Sequence, residues 1–338
     1  RDVDQTMHDI KVSVICLAYN HEKYIRECLD SILNQKTTFR YEVVIHDDAS
    51  TDNTANIIQL YEKKYPGIIT AIYQKENQYS KGVAIIEEKM LDYASGKYVA
   101  FCECDDKWID FSKLQRQYEY MEAHPECSMC VHNTIIHNLN GAEEDHTFNS
   151  WSKEHTLNQK EVFIDWKVHT SAYFVRREDA YRPIEFRKYW FGDYVRLTLA
   201  YAKGNVVALP YTMSQYNYGV ATGALHTVDY SGLQRKKGHV LSRSEYLEKF
   251  NQQTNGKFDQ IIRKRICLTK LEADTLYERD ILNSSNDKRQ IIEAVRKISQ
   301  TEAYKTYLSS LNFIEKLKEV VRYRGYILYP LWVKIWKK

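Results

Sequence analysis

Acidic residues stand in this sequence where they could hold a cation. Asp47-Asp48 follow the apolar run at 41–46 (YEVVIH), and Glu103-Cys104-Asp105-Asp106 follow the run at 98–102 (YVAFC). A third run, 11–18 (KVSVICLA), ends in Tyr19-Asn20-His21-Glu22. Carboxylates gathered in one place repel one another unless a cation or hydrogen-bond donors offset them. A hard divalent ion, held by few carboxylates and by phosphate oxygens, would do so. Taken singly, each Asp is as much at home capping a helix or forming a turn. Another acid, Asp193, sits between Trp190, Phe191 and Tyr194. Partial burial there would raise its pKa and make it a better proton acceptor. Its place before an apolar helical stretch also suits an N-cap.

The elements between these acids decide whether they meet. Residues 11–18, 41–46, 68–73 and 98–102 read as buried strands. Helical spacing recurs at 24–33, from Asp52 or Asn53 to about Lys64, and at 83–94, with breaks at Pro66-Gly67 and Gly96. Strands alternating with helices pair in parallel through crossovers. The carboxyl ends of such strands lie on one edge, where ligands bind. The expected fold class is therefore α/β, a mixed, mostly parallel sheet flanked by helices. Beyond Pro125 the pattern loosens. Residues 127–133 read as a strand, 139–160 as a polar excursion, 162–166 and 171–175 as short apolar runs. Residues 194–202 read as a helix, and 206–209 as a strand closed by Pro210. From about 231 onward the signals are helical, so a catalytic domain is expected at 1–230 and a helical region at 231–338. Apolar spacing within 261–277 fits a packing or dimerisation module.

Composition narrows the class. The chain has 338 residues and a formal charge of +3, which argues against a dedicated nucleic-acid binder. With 27 Tyr, 6 Trp and 11 Phe it has the material for a core. The apolar run at 326–333 is far short of the roughly 20 residues that span a bilayer. Residues 1–10 are polar and do not read as a secretory signal. Seven Cys without small-scaffold spacing fit a reducing cytosol. Cys127-x-x-Cys130 lacks a second pair, so these thiols, like Cys102 and Cys104, read as small core residues rather than zinc ligands. Residues 314–338 carry seven Lys or Arg against two Glu, with Trp332 and Trp336 one helical turn apart. A basic aromatic tail suits either packing on the domain or peripheral contact, through 322–338, with the inner face of a plasma membrane.

Three stretches resemble glycosyltransferase family 2, of the GT-A fold: VSVICLAYNHEKYIRECLDSILNQ, YEVVIHDDASTDNT and GKYVAFCECDDKWIDFSKLQRQYEYMEAHPE. The last is similar to members that assemble bacterial capsule, O-antigen or other surface glycans. The resemblance implies an inverting, metal-dependent transferase using Mn2+ or Mg2+. It would move a sugar from a nucleotide diphosphate, a UDP-sugar in many members, to a glycan or lipid-linked acceptor. By the same resemblance Asp48 would bond the base, and Ala18, Tyr19, Asn20 and Glu22 would line the nucleotide pocket. Asp105 would touch the ribose, Asp106 would ligand the metal, and Asp193 would be the catalytic base. His169, Arg176 and Trp190 would face the acceptor. MSQYNYGVATG (213–223) would close over the diphosphate.

The sequence also departs from that pattern. Lys107 stands where an aromatic often follows the paired aspartates, and would bind donor phosphate or the aspartates themselves. Glu87-Glu88 replace an Arg-Asn pair. Asn217 replaces an Arg of the late motif, so His226, Arg235 or Lys236 would have to supply the missing charge, His226 also as a metal ligand. A nucleotidyltransferase or sugar-nucleotide pyrophosphorylase is a second reading, opposed by the lack of glycine in AYNHEKY. A non-catalytic carbohydrate-binding protein is a third, opposed by the retention of Asp48, Asp105, Asp106 and Asp193 together.

Overall fold

The computed structural model describes residues 10–79, 86–141, 144–220, 233–278, 281, 287–309 and 311. Two compact units divide at Val228/Asp229. The run KVSVICLA has no polar break except Ser13, and such a strand is stable only with both faces covered. It forms β1 (Ile10–Ala18), with Val12, Val14 and Cys16 fully buried. There follow α1 (Ile25–Leu33), β2 (Arg40–Asp47), α2 (Thr54–Lys64), β3 (Ile69–Tyr73), α3 (Ile86–Leu91) and β4 (Tyr98–Phe101). β1 pairs in parallel with β2 and β4, and β2 with β3. The order β3-β2-β1-β4 brings the three acid-bearing strand ends to one rim, as the alternation predicts.

The second half of this unit is built differently. It contains β5 (Lys107–Trp108), α4 (Lys113–Ala123), β6 (Cys127–Asn138), β7 (His146–Thr147) and β8 (His155–Thr156). Then come β9 (Phe174–Arg176), α5 (Arg177–Ala180), α6 (Gly192–Lys203) and β10 (Asn205–Tyr218). β9 runs antiparallel between β4 and β6, and β10 pairs in parallel with β6. Pro210 does not close the last strand, contrary to the sequence reading. Proline cannot donate to the ladder, and the register against β6 shifts between Leu209 and Thr212 to accommodate it. The strand then continues eight residues past Pro210, and its far end lies over the paired aspartates. The excursion at 139–160 folds back as β7 on β6 and β8 on β10.

One apolar cluster from β1, β2, α1, α2 and α4 fills a layer beside the sheet. Six thiols share it, among them Cys16, Cys28, Cys102 and Cys104, all free and buried. Cys28 Sγ lies 3.8 Å from Cys102 Sγ, and burial pushes the Cys16 and Cys102 thiols well up. Cys127 and Cys130 are also buried. All six are core residues, as their neighbours in the sequence suggest.

The second unit holds α7 (Leu233–Gln253), α8 (Asp259–Asp274), α9 (Lys288–Gln300) and α10 (Glu302–Ser309). Leu271, Ile298, Tyr304, Tyr307 and Leu311 form its own apolar cluster. Among the described residues no helix is long and apolar enough to cross a membrane. The basic tail at 322–338 and His226 lie outside the described residues.

Candidate active site

The first two strand ends are tied to each other. Asn20 adopts a left-handed backbone (φ 56°), a conformation Asn tolerates better than most residues. Its N–H donates to Ser50 Oγ at 2.9 Å, and its Oδ1 accepts the Thr51 N–H at 2.7 Å. Glu22 accepts the Asn53 N–H at 2.9 Å, while its own N–H reaches Asp52 Oδ2 at 3.1 Å. The polar groups of Asn20 and Glu22 thus brace the turns after β1 and β2. Asp48 is buried, and its N–H donates to Ala18 O. Its two carboxylate oxygens accept the N–H groups of Gln78 (2.8 Å) and Tyr79 (3.0 Å). Tyr19 is half-buried at the end of β1.

At the end of β4, Asp105 and Asp106 are both buried. The extended β10 reaches them: the Asn217 N–H donates to Asp106 Oδ1 at 3.0 Å, and Asn217 Nδ2 to the Asp105 carbonyl at 2.6 Å. Two histidines flank the pair. His21 Nε2 is 3.7 Å from Asp105 Oδ2, and His169 Nδ1 is 3.9 Å from Asp106 Oδ2. The His169 ring stacks on Tyr216 at 4.3 Å, and burial lowers its pKa to about 4. Burial and then the charges of Asp105 and Glu103 push Asp106 well up. Asp105 Oδ1 and His21 Nδ1 are buried with no hydrogen-bond partner, a state that usually marks a missing ion, ligand or water.

These groups fit a divalent cation of one kind. No cage of three or more protein ligands exists among the described residues. A small hard cation is commonly bound by one or two carboxylates and completed by phosphate oxygens and water. An orphaned Asp105 oxygen beside a mutually repelling acid pair matches that donor set.

Asp193 is the second residue of α6, half-buried. Its Oδ1 accepts the Tyr194 N–H at 2.8 Å. Burial pushes its carboxyl up to about 6. Burial, and then the charges of Asp105, Glu87 and Asp193, push Glu103 at the end of β4 well up. Under α6 lies a network that sequence reading missed. Glu88 is buried and takes Arg182 through both oxygens, Nε at 2.5 Å and Nη2 at 2.7 Å. Arg196 Nη2 reaches Glu87 at 2.8 Å and Glu88 at 3.4 Å. Burial alone would raise Glu87, but the Arg196 and Arg182 charges outweigh it and hold its carboxyl low. The Arg182 guanidinium lies so close to Gly192 that a Cβ there would collide with it. Gly192 is thus needed to seat Asp193 over the network. The available signal was Arg196 itself, a charge inside the apolar stretch Tyr194–Ala200.

Two expected site residues lie elsewhere or point elsewhere. Lys107 Nζ is held by Glu27 on α1 at 2.7 Å, not by the aspartates. Arg176 pairs across β9 with Tyr98, at the start of β4. It therefore sits at the edge opposite the rim, donating to the carbonyls of Cys127 and Pro125. The antiparallel direction of β9 causes this, and the sequence pattern did not reveal it. Trp190 is half-buried, edge-on to Phe191 at 5.6 Å, three residues before Asp193.

A mostly parallel mixed sheet with a buried aspartate pair at its carboxyl rim, and a long late strand bonded over that pair, is a GT-A architecture. Residues 13–184 match the family described as Glycosyl transferase family 2, and the chain belongs to that family. An uncharacterised protein of Mycobacterium tuberculosis is 35% identical over 205 residues, 61% of this chain and 58% of that protein's length. A UDP-Glc:alpha-D-GlcNAc-diphosphoundecaprenol beta-1,3-glucosyltransferase of Escherichia coli is 31% identical over 182 residues, covering 52% and 69% of the two chains. The structure of Staphylococcus aureus TarS in complex with UDP-GlcNAc superposes with a TM-score of 0.60 at 19% identity, covering 95% of this chain and 92% of that one. At that identity the likeness speaks for the fold.

Proposed function

We propose that this chain is an inverting, metal-dependent glycosyltransferase. It moves a sugar from a nucleotide diphosphate, most simply a UDP-sugar, to a hydroxyl of a glycan or lipid-linked acceptor in bacterial surface-polysaccharide synthesis. The observation that carries this reading is the buried pair Asp105 and Asp106 at the carboxyl rim of the sheet, with Asn217 bonded across it. The name of the Escherichia coli relative, a UDP-Glc-dependent enzyme acting on a diphosphoundecaprenol-linked sugar, supports the donor and acceptor classes.

Asp105 and Asp106, with His169 beside them, would hold the Mn2+ or Mg2+ ion. That ion, when bound, offsets the charge gained by the leaving diphosphate. Asp48 keeps the segment at Gln78 and Tyr79 against the base side of the cleft. Asp193 does the proton work. As the acceptor oxygen bonds to the anomeric carbon, the bond from that carbon to the diphosphate breaks, and Asp193 takes the hydroxyl proton. A carboxyl raised to about 6 is ionised at neutral pH yet more basic than an exposed one, which is what general-base catalysis requires. Attack from the face opposite the diphosphate inverts the anomeric centre.

The test is calorimetric titration with UDP, with and without Mn2+ or Mg2+. Metal-dependent binding in the native chain, lost in Asp106→Ala, is expected. Nucleotide affinity indifferent both to metal and to Asp106→Ala overturns the assignment.

A further inference from the structure

The β6–β8 excursion encloses a cavity that the reaction described above does not use. Its volume is about 300 Å3, and Phe148, Asn149, Trp151, His155, Glu161 and Lys167 line it. It is rigidly built. The Trp151 backbone is clamped to Asn133 of β6 twice: its N–H donates to Asn133 Oδ1 at 2.8 Å, and its carbonyl accepts from Nδ2 at 2.9 Å. Asn149 is held in the same manner, its Oδ1 accepting the Thr134 N–H (2.9 Å) and its Nδ2 donating to the Lys167 carbonyl (2.7 Å). The Trp151 ring stacks on His155 at 6.1 Å and 21°. His155 Nε2 is 2.8 Å from Glu161 Oε2, which also accepts the Asn158 N–H at 3.0 Å.

The cavity adjoins the cleft. Phe148 meets the His169 ring edge-on at 5.8 Å, and His169 is 3.9 Å from Asp106. One imidazole therefore separates the cavity wall from the paired aspartates.

We propose that this cavity is a subsite for a pyranose ring of the acceptor glycan, beyond the unit that receives the sugar; the inference rests on the transferase reading. The chemistry selects this class of ligand. Fixed aromatic faces suit the C–H face of a sugar, and the exposed polar groups of Ser150 and Lys167 at the lip suit its hydroxyls. A lipid chain would require an apolar groove. A phosphate would meet Lys167 alone among the lining cations, because His155 is already paired with Glu161.

Ligand-observed saturation-transfer NMR on the full chain tests this, with β-linked di- and trisaccharides of gluco, galacto, manno and N-acetylglucosamine configuration as probes. Titration with UDP, and with GDP and dTDP in parallel, is the independent readout of the donor side. At least one saccharide is expected to bind. Trp151→Ala should weaken it about tenfold, Trp151→Phe should retain most of the affinity, and nucleotide binding should be unchanged in both. Ser150→Tyr, at an exposed position on the lip, should block the cavity without touching the clamps. Saccharide affinity indifferent to Trp151→Ala and to Ser150→Tyr overturns the subsite. So does a chain that binds nucleotide but none of the saccharides. Saccharide binding that depends on Trp151, in a chain that binds no nucleotide, upholds the cavity as a sugar site and overturns the transferase reading instead.

Discussion

The two halves of the sheet unit make their sites by different means. In the half built from β1 to β4, Asn20, Glu22 and Asp48 at the rim are each bonded to the neighbouring loop, while Asp105 Oδ1 and His21 Nδ1 have no partner. Asn20 meets Ser50 and Thr51, Glu22 meets Asn53, and Asp48 meets Gln78 and Tyr79. In the half built from β6 to β10, the important partners come from far along the chain. Asn217 reaches back to Asp106, and Arg196 and Arg182 reach back to Glu87 and Glu88. The first half is a prefabricated frame for a ligand. The second completes the site, and its charges are set by burial and by distant partners.

The division can be probed by variants on each side of it. The largest effect is expected from Asp193→Asn, on the second half. Turnover should fall about 10²–10⁴-fold, while nucleotide affinity, a property of the first half, stays put; steady-state rates and calorimetry measure the two. Turnover of the native chain should rise with pH through about 6, where Asp193 loses its proton, and level off above. A flat profile from pH 5 to 8 would contradict the base assignment.

Next in size is the buried network that joins the halves. Glu88→Gln leaves Arg182 without its bidentate charge partner and should cost about 3–5 kcal/mol in urea unfolding. A loss under about 1 kcal/mol would mean the halves are held together by packing alone. Smaller still is the effect of Asp193 on stability. Its carboxyl is raised by folding, so its protonated form is favoured below the unfolded pKa, and that advantage is lost as pH rises through about 6. Asp193→Asn should therefore be more stable than the native chain by about 2–3 kcal/mol at pH 7, with the gain gone below about pH 4. Chemical unfolding at the two pH values reads it. The smallest change is expected from Glu27→Ala, which frees Lys107 from an exposed pair within the first half. A shift of about 0–1 kcal/mol in stability is anticipated; a large loss of nucleotide binding would restore Lys107 to the donor site.

Local pattern was sufficient for the parallel strands, the helices between them and the rim on which Asp48, Asp105 and Asp106 stand. Apolar runs must be covered on both faces, and alternation with helices leaves few ways to do so. It was sufficient also for the thiols, because small apolar side chains between β-branched residues belong to the core. It failed where direction and distance matter. The antiparallel course of β9 took Arg176 to the wrong edge. The passage of β10 through Pro210 depended on a register shift against β6, which no local signal announces. Glu87-Glu88 read only as a missing contact, since their arginines lie about a hundred residues away. Composition and periodicity act over one turn or one strand, and they dictated the scaffold and its acids. The charge on Asp193, the orphaned oxygen of Asp105 and the clamp on Trp151 came from burial and from partners remote in the chain, and those exist only once the chain has closed on itself.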